Sequence, residues 1–105
     1  MSEALRSVTM MIAEQLGEAD AKPLDTIYSA LEVLGVMRVQ NLLAEAFAIE
    51  AQGGMTFGER RRTVGGVFFR HLKENVTRAE LRKLRKRRMQ LTSSRYTAPQ
   101  TAAAA

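Results

Sequence analysis

The sequence predicts an all-α fold, a compact bundle of about five helices with a basic C-terminal helix and a disordered tail. Three observations carry this expectation. Apolar residues recur at three- and four-residue spacing through most of the chain, each such stretch opens or closes on a capping residue or a glycine, and no segment longer than a few residues alternates with the period of a strand. At 105 residues the chain has room for one domain, expected over residues 1–92, with the tail at 93–105.

The first helix is expected over Ser2–Leu16, where Leu5, Val8, Ile12 and Leu16 share a face. Ser2 caps it, Glu3 stands in its first turn and Gly17 stops it. The second runs from about Pro23, suited to a first turn, to Leu34. Its apolar stripe is Leu24, Ile27, Tyr28, Leu31 and Leu34, and Gly35 ends it. The third spans Val36–Ala51, burying Val39, Leu42, Leu43, Ala46 and Ile49, and Gln52-Gly53-Gly54 breaks it. Residues 53–62 read as a loop. Thr63 caps a fourth helix, Val64–Glu74, with Val64, Val67, Phe68 and His71 on one arc. Gly65 and Gly66 sit in its first turn, where each costs up to ~1 kcal/mol relative to Ala, a local conflict that implies close approach to the backbone. The fifth helix opens on a capping box, Thr77 and Glu80, with Val76 placed to staple against Leu81. Leu81, Leu84 and Leu91 face inward. From Arg85 onward charge surrounds the helix, so this part is expected to project beyond the core.

Composition excludes several functions. With no cysteine there is no disulfide framework and no thiolate metal site. The one histidine, His71, sits on an apolar arc, as a core-edge residue does more often than a general base. No acidic cluster has metal-ligand spacing, and Glu14, Glu18 and Asp20 read as a solvated helix end. The glycine pairs match neither phosphate-loop nor dinucleotide fingerprints. The chain is therefore read as no enzyme, with no catalytic residue, metal or cofactor. No apolar run reaches membrane-spanning length, and the basic helix lacks a broad apolar face for a membrane surface. The start of the chain lacks the basic-then-apolar pattern of a signal peptide, so a cytoplasmic location is expected.

Charge points to a polyanion. Residues 1–57 carry 3 basic and 8 acidic side chains, a net of −5, whereas residues 58–105 carry 13 basic and 3 acidic, a net of +10. Arg60-Arg61-Arg62-Thr63 directly precedes a helix N-terminus, whose free N–H groups and partial positive charge suit a phosphate. Arginine adds charge and forked donors, and Gly65 and Gly66 remove side-chain bulk. Phe69, off the main apolar arc, is either a stacking platform for an unpaired base or core packing against the fifth helix. Arg70 and Lys73 extend the phosphate track along the fourth helix, and Arg82, Arg85 and Lys86 extend it along the fifth.

These residues resemble a known family. Leu42-Leu43-Ala44-Glu45, then Ile49-Glu50-Ala51-Gln52-Gly53-Gly54, then Arg60 through Lys73 are similar to the RNA-binding domain of the phosphorylated adaptor for RNA export. That family's signature is an L-L-x-E helix, a Gly-Gly break, and R-R-R-T-P-G-G-V-F leading into an apolar helix. The resemblance covers roughly residues 23–90. It implies a helical module that binds single-stranded RNA with little sequence preference, through Arg60, Arg61, Arg62, Thr63, Gly65 and Gly66, with Phe68 in the core. Val64 stands where the family has Pro, and His71 where it is usually apolar. The flanking regions through which the adaptor meets its export partners are not expected, so the export role is not carried over.

The expected function is thus a single-stranded RNA-binding module. The alternative is a protein-interaction module that docks its basic fifth helix on an acidic partner or a ribonucleoprotein surface. A duplex-DNA reader of helix-turn-helix type ranks third, since the fifth helix lacks the Asn, Gln and Ser that read base edges.

Overall fold

In the computed structural model the backbone is described for residues 2–104 and the side chains for residues 2–92. The expectation of a disordered tail at 93–105 lies outside the residues whose side chains are described. The order is α1 (Glu3–Leu16), α2 (Ala21–Leu34), α3 (Val36–Ala51), β1 (Thr56–Phe57), β2 (Arg60–Arg61), α4 (Val64–Glu74) and α5 (Arg78–Ala104).

Local signals set the helix ends. The Ser2 hydroxyl accepts from Leu5 N–H at 3.3 Å, and Gly17 closes α1 with φ +71°. The Thr63 hydroxyl accepts from Gly66 N–H at 3.1 Å. Thr77 and Glu80 form the reciprocal capping box, at 2.9 and 3.1 Å. A single residue, Gly35, separates α2 from α3. Its φ of +92° turns the chain between them and is open to glycine at little strain.

α2 is the centre of the bundle and packs against α1, α3 and α5, while α4 lies on α3. Because neighbours surround it, α2 buries Asp25 and Ser29 as well as Ile27, Tyr28, Ala30 and Leu31. Ser29 satisfies its hydroxyl by donating to Asp25 O at 2.7 Å. The core continues through Ile12, Leu16, Val39, Leu43, Val67, Phe68 and Leu84.

The structure corrects four expectations. α2 begins at Ala21 rather than Pro23, because the first four helical N–H groups lack intrahelical partners and a proline there removes none that is needed. Residues 53–62 hold a short antiparallel hairpin, pairing Thr56 with Arg61 and Phe57 with Arg60 around Gly58, rather than a plain loop. The fifth helix does not leave the core at Arg85. Leu91 is buried, and Arg87 folds back to give Glu32 of α2 two hydrogen bonds, at 2.8 and 3.0 Å. Finally, Glu18 is not simply solvated: it is half-buried against α4, at the first turn of that helix.

Candidate nucleic-acid interface

The hairpin delivers the three consecutive arginines to different surroundings. Arg61 turns back onto α3, giving the Glu50 carboxylate a 2.7 Å ion pair and approaching the Glu50 carbonyl at 3.3 Å. This strap crosses Gly54, whose φ of +79° favours glycine; a Cβ there would stand 2.9 Å from Arg61 Nε and displace the guanidinium. Arg62 lies over the ring of Phe57, 5.1 Å from its centroid, a cation–π contact that holds the guanidinium beside α4. Arg60 is exposed and has no ion-pair partner among the described residues.

Gly65 and Gly66 open α4 but stand in different surroundings. Gly65 is buried, and a Cβ there would overlap the Glu18 carboxylate, which lies across the first turn of the helix. A negative charge at this position is favoured by the partial positive charge of the helix start. At Gly66 an added Cβ would stand 3.4 Å from Arg62 Cβ and from Thr63 Oγ1, an ordinary contact. Thr63 spends its oxygen as a cap acceptor, which leaves its hydroxyl hydrogen as a donor.

α4 is a ridge between two grooves. One side of it contributes Arg70 and Glu74, joined by a 3.0 Å ion pair, to a shallow groove shared with Phe57, Gly58 and Arg62 of the hairpin. The other side contributes Phe69, Leu72 and Lys73 to a groove of about 390 Å³ between α2, α4 and α5. Leu81 and Leu84 complete its apolar wall. Lys22, Lys73, Arg85 and Arg88 supply its charge, and no acidic residue among those described lines it. Phe69 is half-buried, its ring 5.3 Å from that of the fully buried Phe68 at 67°, an edge contact that fixes its orientation. Arg82 and Lys86 are exposed on α5 outside this groove.

Of the sequence-derived candidates, then, Phe69, Lys73 and Arg85 meet in one groove and Arg62 and Arg70 in the other. Arg61 is held by Glu50. Sequence reasoning misses Lys22, Arg88, Phe57 and Glu18. Arg88 stands at helical spacing from Leu81, Leu84 and Arg85, a signal that could have found it. Lys22 belongs to the acidic half of the chain, and only tertiary packing brings it across.

Other ion pairs hold the frame. Arg38 of α3 grips both carboxylate oxygens of Glu80 and donates to Asn75 O at 2.9 Å. The Arg38 hydrogen bonds, aided by the Thr77 N–H, hold the Glu80 carboxyl at about 2. Arg87 likewise draws Glu32 below the usual carboxylate range. His71, expected at the core edge, is half-buried and meets Glu45 Oε1 at 2.8 Å, with Asn75 on its other ring nitrogen at 3.2 Å. Among the described residues no helix is long and apolar enough to cross a membrane.

No curated protein and no solved structure matches the chain. A sequence model of one family, described as "Phosphorylated adapter RNA export protein, RNA-binding domain", matches residues 8–90, from within α1 to the basic part of α5. The chain belongs to that RNA-binding domain family.

Proposed function

We propose that this chain is a single-stranded RNA-binding module with weak sequence preference, which follows the phosphate backbone along the α4 ridge. The observation that carries the reading is how the cations are divided. Arg38, Arg61 and Arg87 are held in ion pairs that strap one element to another. Arg60, Lys73, Arg82, Arg85 and Lys86 have no acidic partner among the described residues, and they lie on the hairpin, α4 and α5. The track begins at Arg60, Arg62, the Thr63 hydroxyl hydrogen and the positive end of α4 at its Gly-Gly first turn. Arg70 and Lys73 continue it along the ridge, and Arg82, Arg85 and Lys86 along α5. Backbone amides and guanidinium groups address phosphate rather than base edges, so sequence preference is weak and binding weakens steeply with salt.

Fluorescence anisotropy tests this, with single-stranded RNA, single-stranded DNA, duplex RNA and duplex DNA of matched length, each at two salt concentrations. Single strands are expected to bind best. The double variant Arg60→Ala, Arg62→Ala is expected to weaken them while leaving the Arg61–Glu50 strap in place. Equal binding of all four nucleic acids, unchanged in that variant, defeats the reading and favours a protein partner for the basic helix.

A further inference from the structure

We propose that the groove between α2, α4 and α5 is a nucleobase pocket, in which an unpaired base of the RNA stacks on Phe69 while its flanking phosphates meet the cations at the rim. The inference rests on the RNA-binding reading above and adds to it the site that distinguishes a single strand from a duplex.

Three features of the groove fit this occupant. Its volume of about 390 Å³ lies in the range of pockets that hold small organic molecules, ~300–1,000 Å³, and is suited to one flat ring system rather than a helix of a partner protein. Its walls are apolar and aromatic, and the one aromatic ring, Phe69, is held in place by its edge contact with buried Phe68, so stacking does not require reordering a free side chain. Its charge is all of one sign. Lys22 stands on the α2 side, Lys73 on α4, and Arg85 and Arg88 on α5, so cations flank the apolar floor on every side. An uncharged ligand would leave those four charges unanswered, and a phosphate alone would leave the apolar floor unused. A nucleotide within a strand answers both.

The α2 wall of the groove is poorly equipped to read base acceptors. The two hydroxyls in its wall, Thr26 and Ser29, already donate their protons to Lys22 O at 3.0 Å and Asp25 O at 2.7 Å of their own helix. They offer no donor to a base edge, so that wall accommodates a base by its faces and not by its pattern of acceptors. In a duplex the bases are stacked and paired, and none can enter.

The test separates bases from backbone. Anisotropy is measured on the full chain with a single-stranded RNA oligomer and with an oligomer of equal length and charge built from stable abasic spacers. The wild-type chain is expected to bind the RNA about 5- to 140-fold more tightly than the abasic oligomer, the range that stacking of one base supplies. Phe69→Leu keeps apolar bulk but removes the ring. Thr26→Leu fills the groove from the α2 wall with a good helix former, so it reports even if Phe69→Leu unfolds the chain. Each is expected to bring that ratio close to one and to leave the affinity for the abasic oligomer unchanged. A ratio near one in the wild type, or one that survives both variants, overturns the pocket while the RNA-binding reading stands. Failure of the wild type to bind either oligomer defeats the RNA-binding reading itself, and the pocket with it.

Discussion

Glu18 provides a test in which stability and affinity must move in opposite directions. Its carboxylate lies across the first turn of α4, where the proposed function puts a phosphate. Glu18→Gln removes the charge and keeps the shape. In the free protein the carboxylate interacts favourably with the helix start, so its neutralisation is expected to lower stability by about 0.3–1 kcal/mol. In the complex the sign reverses. At ~5 Å, a carboxylate and a phosphate repel by ~0.8 kcal/mol in bulk water and by ~3 kcal/mol at the effective dielectric near 20 of a protein surface. Glu18 is half-buried, between these limits. The separation is shorter than the ~8 Å screening length at physiological salt, so the repulsion is not abolished there. A gain of ~1–2 kcal/mol, or ~5- to 30-fold in affinity for single-stranded RNA, is expected. Glu14→Gln is the control: the same change of charge at an exposed position of α1, which reports any long-range effect. Thermal unfolding and anisotropy are measured on both variants. If Glu18→Gln binds no more tightly than Glu14→Gln, no phosphate enters the Gly-Gly turn, and RNA is held by side chains alone.

Three other outcomes follow from the packing. Arg61→Ala is expected to lower stability by about 0.2–1 kcal/mol through loss of the Glu50 strap, whereas Arg60→Ala leaves the melting temperature unchanged; equal shifts would show that the strap contributes nothing. Leu91→Ala is expected to cost about 2–5 kcal/mol in denaturant unfolding and exposed Met89→Ala almost nothing, and a small effect at Leu91 would contradict the packing of α5 beyond Arg85. Glu80 is an acid whose folded pKa, about 2, lies below its ordinary 4.5. The stability it contributes is therefore full above 4.5 and lost as pH falls towards 2, and the difference in melting temperature between wild type and Arg38→Met should shrink over that window. A difference that stays constant through it would show that the pair does not act through this carboxylate.

The helix ends are legible in the sequence because capping is a relation between neighbours. Ser2, Thr63 and the Thr77–Glu80 box each act within three residues, so the same residues that signal the helix also make its first hydrogen bonds. The hairpin is not legible, because two strands of two residues are too short to show a period. The reach of α5 is hidden for another reason: a ring of charge looks like solvent exposure when its partners are unknown. Arg87 lies on the packed side of the helix and is neutralised by Glu32, 55 residues earlier.

Spacing and composition over a few residues were thus enough for the helical class, four of the five helix starts and the concentration of positive charge in one half of the chain, while a matching run of residues carried the resemblance to an RNA-binding family. They could not separate the cations that are held from those that are available. Nor could they place a carboxylate from the turn between α1 and α2 on Gly65, or bring Lys22 to Phe69, Lys73 and Arg85 around one groove. Those relations join residues tens of positions apart, and side chains find such partners only once packing of the apolar faces has set the distances between helices.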